Sequence, residues 1–190
     1  VSRLPYLRPE DLDDTGRAVW ATVTSSRGPE LVNAEGGLVG PFNAWVTAPE
    51  TGRRLADLGG HLRFTTSIER RLLELAIVTV GAHWKAEFEW WAHSRMARQH
   101  GLSDSVLDAL ARGVEPLFDR NDEKIVHAVA SQLVVGGRVE AATYQAARDL
   151  LGDEGLVELV TLCGYYTLVS FTLNAFAVPL PPGAEPVWPA

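Results

Sequence analysis

The chain has 190 residues, a length that suits one domain, and its 46% hydrophobic and 22% charged residues are those of a globular protein with a buried core. Twenty-four acidic against 17 basic side chains leave a net charge of -7, so no basic footprint for a phosphate backbone is present and nucleic acid is not expected as a partner. One cysteine, Cys163, excludes an intramolecular disulfide, a CxxC redox pair and a multi-thiolate zinc site within a single chain.

Residues 1–10 carry two arginines with no apolar run behind them, which does not read as a secretory signal, and a cytoplasmic protein is expected. Pro9-Glu10-Asp11-Leu12 predicts a helix start, because proline suits the first turn and acids suit the positive end of the helix dipole; the helix runs to about Ser25. Gly28-Pro29, Gly36-Gly37 and Gly40-Pro41 mark a long irregular stretch of the kind that borders a pocket. Short helices follow over 42–46 and 49–62, separated at Ala48-Pro49, with Gly59-Gly60 near the end of the second.

Residues 68–80 are helix formers, apolar almost all round after Arg71, and predict a buried helix; Ser67 and Arg70 make only half a capping box. Gly81 is expected to break it, and a second helix runs from there to His100, closed by Gly101. Further helices read over 103–112, 121–135, 138–151 and 155–176, with Gly136-Gly137 as a break and a tail from Pro181-Pro182. No stretch alternates cleanly between apolar and polar residues, so the fold class is all-α, in one domain over 1–190.

Residues 159–180 are long enough to span a bilayer. They contain Thr161, Thr167, Ser170, Thr172, Asn174 and Pro179 and lack flanking basic anchors, which favours a helix buried in a core or subunit contact over a membrane span. The run carries more apolar surface than one helix face needs in a chain of this size, so a homo-oligomer is expected. Cys163, inside it, is expected to be an inert buried thiol.

Two features bear on chemistry. Glu74 is the only charge between Arg71 and Lys85. Burial of its carboxyl would raise its pKa and make it a proton donor or acceptor near neutral pH, or it pairs with an arginine on a neighbouring helix. The segment His83-Trp84-Lys85-Ala86-Glu87-Phe88-Glu89-Trp90-Trp91-Ala92-His93 is the densest in titratable and aromatic groups. Glu89 and His93 lie four apart, so on a helix the carboxylate can fix the imidazole tautomer and raise its basicity. His83 and Glu87 repeat the spacing on a face about 120° away. Surface pairs with tryptophans in the core are the plainer reading of the same pattern. The histidines and glutamates lack HExxH spacing and no metal is expected; serine-hydrolase, phosphate-loop and dinucleotide fingerprints are missing.

The run Ile68-Glu69-Arg70-Arg71-Leu72-Leu73-Glu74-Leu75-Ala76-Ile77, then Ala86-Glu87-Phe88-Glu89-Trp90-Trp91-Ala92-His93, Ala97 and Gly101-Leu102-Ser103, resembles the carboxymuconolactone decarboxylase family, which also contains alkyl hydroperoxidase D. The likeness extends to Gly40-Pro41-Phe42-Asn43-Ala44, Leu62-Arg63-Phe64, Gly164-Tyr165-Tyr166 and Leu173-Asn174, over about residues 36–182 in one register. The resemblance implies an all-helical, alkyl hydroperoxidase D-like bundle that assembles as a homotrimer or homohexamer, with a site near a subunit contact. His93 falls on the family histidine and Glu74 on the family glutamate, while Ala86 and Glu89 occupy the two positions of the hydroperoxidase CxxC pair. Peroxidase chemistry through that dithiol is therefore not available, and the pattern is similar to the branch without it.

What the resemblance implies for activity is a cofactor-independent lyase of the decarboxylase type, of use in aromatic catabolism, acting on a small carboxylated lactone or ring acid. His93 and Glu89 would supply the proton and Glu74 would hold or relay it. Trp84, Trp90 and Phe42 would wall the pocket and Arg63 would meet the substrate anion, with His83 and Asn174 completing the binding set. The same acid/base set could isomerise, dehydrate or cyclise a metabolite. A small-molecule binding oligomer that has lost the chemistry is a third reading.

Overall fold

The structure, a computed structural model, describes residues 2–28 and 31–188. Val1 and Pro29, parts of the expected N-terminal segment and first loop, lie outside the described residues. The helices are α1 (Asp14–Arg27), α2 (Phe42–Thr47), α3 (Pro49–Phe64), α4 (Arg70–His83), α5 (Glu87–Gln99), α6 (Asp104–Ala111), α7 (Asn121–Gly136) and α8 (Ala141–Ala175). Among the described residues there is no strand, only an isolated antiparallel bridge between Val32 and Leu38. The all-α class expected from the sequence is the class observed.

Two compact units partition the chain, one of Val1–Thr65 with Thr172–Pro179 and one of Thr66–Phe171 with Leu180–Ala190. In the first, α1, α2 and α3 pack on one another. The first helix begins later than expected. Pro9–Asp11 closes a single 3-10 turn, the chain is extended again at Leu12, and α1 starts where Asp13 accepts the Gly16 N–H at 2.7 Å. Gly52 lets α3 pass close to α2, since a Cβ there would lie 2.2 Å from the Trp45 carbonyl oxygen. Gly59 and Gly60 lie inside α3, which continues to Phe64. Buried Asn43 anchors the N-terminal segment, its Oδ1 accepting from the Leu7 N–H and its Nδ2 donating to the Pro5 carbonyl.

In the second unit α4 is the hub, packed on α5, α6 and α7. Every residue from Arg71 to Gly81 is buried, which is why its sequence shows no polar face. Leu75 and Val78 share an apolar cluster with Trp90, Ala97, Leu102, Val106, Leu107 and Leu110. The helix runs through Gly81, against expectation, and stops at a Schellman turn two residues after His83. Lys85 takes a left-handed φ of 48°, the Ala86 N–H reaches the Gly81 carbonyl and the Lys85 N–H that of Ala82. His83 and Glu87 therefore sit on different helices, and the expected pairing along one helix is not formed. Glu87 instead accepts the backbone N–H groups of Val187 and Trp188, while the Trp188 indole donates to the Ala111 carbonyl.

The two helices expected at 138–151 and 155–176 are nearly continuous in α8, interrupted at Gly152 alone, where φ 72° and ψ 177° leave helical geometry. This helix is long and apolar enough to cross a membrane by length and composition, with half of its most apolar window buried inside the chain.

The start of α4 is held by Arg71, which is buried and donates to Glu123 at 2.5 Å, Asp122 at 2.8 Å and Glu69 at 3.2 Å. Hydrogen bonds from Arg120, then Arg71, hold the Asp122 carboxyl far below the usual carboxylate range. Removing the guanidinium strands the buried Glu123 carboxylate and takes one partner from the partly buried Asp122, so Arg71→Ala should lose about 3 kcal/mol in denaturant unfolding at pH 7. A carboxyl depressed in the folded state stabilises above its unfolded pKa and loses that contribution as pH falls, so the difference between wild type and variant should shrink below about pH 4.

Candidate active site

Two helices joined by the Lys85 turn bring three of the sequence-selected residues together. Glu74 projects from the middle of α4, and Glu89 and His93 from successive turns of α5. The His93 imidazole sits between the two carboxylates, with Nδ1 2.6 Å from Glu74 Oε2 and Nε2 2.9 Å from Glu89 Oε1. Glu74 is fully buried and Glu89 and His93 are each 4% exposed. The Glu89 oxygen lies at ion-pair distance but is not aligned as a hydrogen-bond acceptor. Gly81 flanks this carboxylate, its missing Cβ 3.6 Å from Glu89 Cγ.

Burial opposes a charge on His93, but the negative charge of Glu89, the hydrogen bond to Glu74 and the contact with Glu89 outweigh it and raise the imidazole pKa above its ordinary value. Two carboxylates flank one imidazolium, and the second countercharge is Arg70, whose Nη2 lies 3.3 Å from Glu74 Oε1. Arg70 is four residues before Glu74 on α4 and only partly buried. With both glutamates ionised and His93 protonated, the four groups sum to zero. The carboxylates meet opposite ring nitrogens and so do not converge on one point. Among the described residues no three His, Cys, Asp or Glu side chains form a set that could hold a metal ion. The Tyr166 ring from α8 stands edge-on to the imidazole at 5.2 Å.

The remaining candidates belong to both units. Exposed His83 closes α4 and stands edge-on to Trp84. The Trp84 indole N–H reaches Thr167 Oγ1 at 3.3 Å and its ring meets Phe171. Trp90 belongs to the apolar cluster, edge-on to Trp188. Phe42, Arg63 and Asn174 belong to the first unit. There Phe42 packs edge-on to Trp45, Arg63 lies over the Phe64 ring at 5.3 Å, and Asn174 is exposed.

Sequence reasoning missed Arg70 and Tyr166. The first was legible, since its spacing from Glu74 is the helical i,i+4 of an ion pair. The second is 73 positions from His93 in sequence and carries no local signal.

An all-α, alkyl hydroperoxidase D-like fold carries this buried carboxylate–imidazole–carboxylate cluster. Among solved structures, the alkylhydroperoxidase AhpD core of an uncharacterized peroxidase-related protein from Ralstonia eutropha JMP134 is similar with a TM-score of 0.74 over 96% of this chain and 93% of that one, at 16% sequence identity. At that identity the likeness shows the fold. No protein-family model matches the sequence, and no curated protein is found to match it.

Cys163 is buried, and burial pushes its thiol up to about 12. A thiol reagent at pH 8 should therefore label the native protein far more slowly than the urea-unfolded chain, and equal rates would contradict the buried placement. A second measurement addresses His93. Its raised pKa stabilises the fold fully below the unfolded value of about 6.5, and that contribution is lost as pH rises through the folded value. Imidazole NMR should show His93 titrating above the ordinary histidine value, and Glu89→Gln should move its titration to lower pH.

Proposed function

We propose that this chain is a cofactor-independent lyase of the carboxymuconolactone decarboxylase type, acting on a small carboxylated lactone or ring acid by general acid/base catalysis. The observation that supports this reading is the buried Glu74–His93–Glu89 arrangement, and the resemblance implies that Glu89 takes the place of a hydroperoxidase cysteine. A dithiol peroxidase cycle needs two cysteines, and this chain has Cys163 alone.

Decarboxylation breaks the bond between the ring carbon and the carboxylate, releases carbon dioxide and leaves the electron pair on carbon as an enolate. The imidazolium of His93 then gives its proton to that carbon and becomes neutral. Glu74 on Nδ1 stabilises the charged ring before transfer, and Arg70 balances Glu74. Glu89 lies 2.9 Å from Nε2, the nitrogen from which the proton leaves, and its negative charge favours the protonated ring before transfer. Burial strengthens each of these charge interactions. The substrate-binding roles of Trp84, Trp90, His83, Phe42, Arg63 and Asn174 remain part of this proposal, with Arg63 as the partner for the substrate anion.

Incubation with a panel of carboxylated lactones and ring acids, read by mass spectrometry, tests the reading. The expected product is lighter than its substrate by about 44 Da, and His93→Ala should slow its formation by about 100-fold or more. Rearranged product of unchanged mass would assign proton-transfer chemistry without loss of carbon dioxide, and thermal stabilisation by a ligand without any turnover would assign a binding role.

A further inference from the structure

We propose that Ser170 on α8 completes the candidate site, its hydroxyl and the Glu89 carboxylate together holding a neutral hydroxyl group of a ring acid beside His93. The proposal deepens the lyase reading by naming a group of the substrate. It rests on that reading for the reaction and not for the binding.

In the second unit two buried side-chain oxygens, Ser170 Oγ and Glu89 Oε1, find no hydrogen-bond partner among the described residues. Ser170 is fully buried, on a helix face otherwise made of Leu159, Leu162, Tyr166 and Val169. A helical hydroxyl commonly turns back onto the carbonyl four residues before it, as Thr79, Thr161 and Thr167 do here at 2.8, 2.8 and 2.9 Å. Ser170 does not, so its hydroxyl is directed away from its own backbone and into the interior. A buried hydroxyl without a partner destabilises a fold, and its place on this face needs a reason other than packing.

Two contacts fix the direction of α8 beside α4. Ser67, just before α4, bonds Glu158, while Trp84, just after it, bonds Thr167 and packs on Phe171. The long helix therefore runs with α4, whereas α5 runs back along it, with Glu89 beside Gly81 and His93 beside Glu74. Helices α5 and α8 are thus antiparallel, and they meet where the His93 and Tyr166 rings stand 5.2 Å apart. Glu89 is one turn before His93 and Ser170 one turn after Tyr166, so each lies about 6 Å along its helix from that meeting point, in the same direction. Around the α8 axis Ser170 points about 40° from Tyr166 and about 60° from Thr167, between the direction of His93 and that of Trp84. Glu89 and Ser170 accordingly face the same space, at the level of Gly81. Where Tyr166 reaches toward α5 with a ring, Ser170 offers a short side chain and Gly81 none.

What fits between a carboxylate and a serine hydroxyl is a group that donates to the first and accepts from the second. A neutral hydroxyl does both. A second carboxylate is repelled by Glu89, so the acid group of the ligand is turned away from this side. Glu89 Oε1 is itself 2.9 Å from His93 Nε2, and a ring hung from this point is presented to the proton that the imidazolium gives. The pair therefore selects a hydroxylated ring acid over its plain counterpart.

Titration calorimetry of the full chain with benzoate and with its three monohydroxy isomers tests the proposal without any need for turnover. At least one isomer should bind the wild type about 10-fold or more tighter than benzoate, and Ser170→Ala should cut that advantage to about 2-fold or less with the benzoate affinity unchanged. Because Ser170 makes no hydrogen bond within the fold, S170A should melt at or above the wild-type temperature by circular dichroism. A lower melting temperature would assign the hydroxyl to the fold and overturn the proposal. So would an advantage that survives S170A, no measurable binding of any isomer, or equal affinities for benzoate and all three isomers, the result expected if a resident water alone joins Ser170 to Glu89. Hydroxyl selectivity that is lost in S170A, with no product lighter by about 44 Da, would leave this site standing and end the decarboxylase assignment.

Discussion

Burying two carboxylates against one imidazole is the constraint around which the second unit is organised. Isolated charges in a low-polarity interior cost several kcal/mol each, so Glu74 and Glu89 persist there only because positive groups reach them. His93 supplies one and Arg70 the other, and each is placed by a helix repeat of four residues. The contact between α4 and α5 is thereby fixed in register. A shift by one residue would part His93 from Glu74 and lose the 2.6 Å contact that crosses between the two helices.

Arg71 and Arg70 are neighbours in sequence with divergent roles, because adjacent residues on a helix point about 100° apart. Arg71 turns to Asp122 and Glu123 at the start of α7 and ties that helix to α4. Arg70 turns to Glu74. One Arg-Arg pair thus joins the packing of the hub helix to the charge balance of the cluster it carries.

Most of the helices were legible because they obey local rules, such as the capping Ser103, the glycines at 136–137 and the proline at 49. The contact between Glu89 and His93 was legible for the same reason, as a spacing within one helix. What escaped was set by tertiary geometry. The break expected at Gly81 falls at Lys85, whose side chain gives no hint of a left-handed backbone; α5 packing beside Gly81 keeps that glycine helical. Pro9 suits a first helical turn and marks the expected start, but the side chain of Asp13 satisfies a helix N–H and so decides where α1 begins. The union of Glu74 with His93, 19 residues apart, required the turn between their helices and followed from no spacing; only resemblance placed both at one site.

The clamp of Glu87 on residues 187 and 188 bears on how the chain is built. A first-turn carboxylate commonly accepts N–H groups of its own helix end, at small entropic cost, but the donors to Glu87 lie 100 positions downstream. During synthesis α4 and α5 emerge long before those partners exist. The acidic end of α5 must wait in water, its carboxylate solvated, until the downstream segment has been translated and folded back. Assembly of the site-bearing helices is thus coupled to a contact of high sequence separation, the kind that slows folding and makes its final step cooperative.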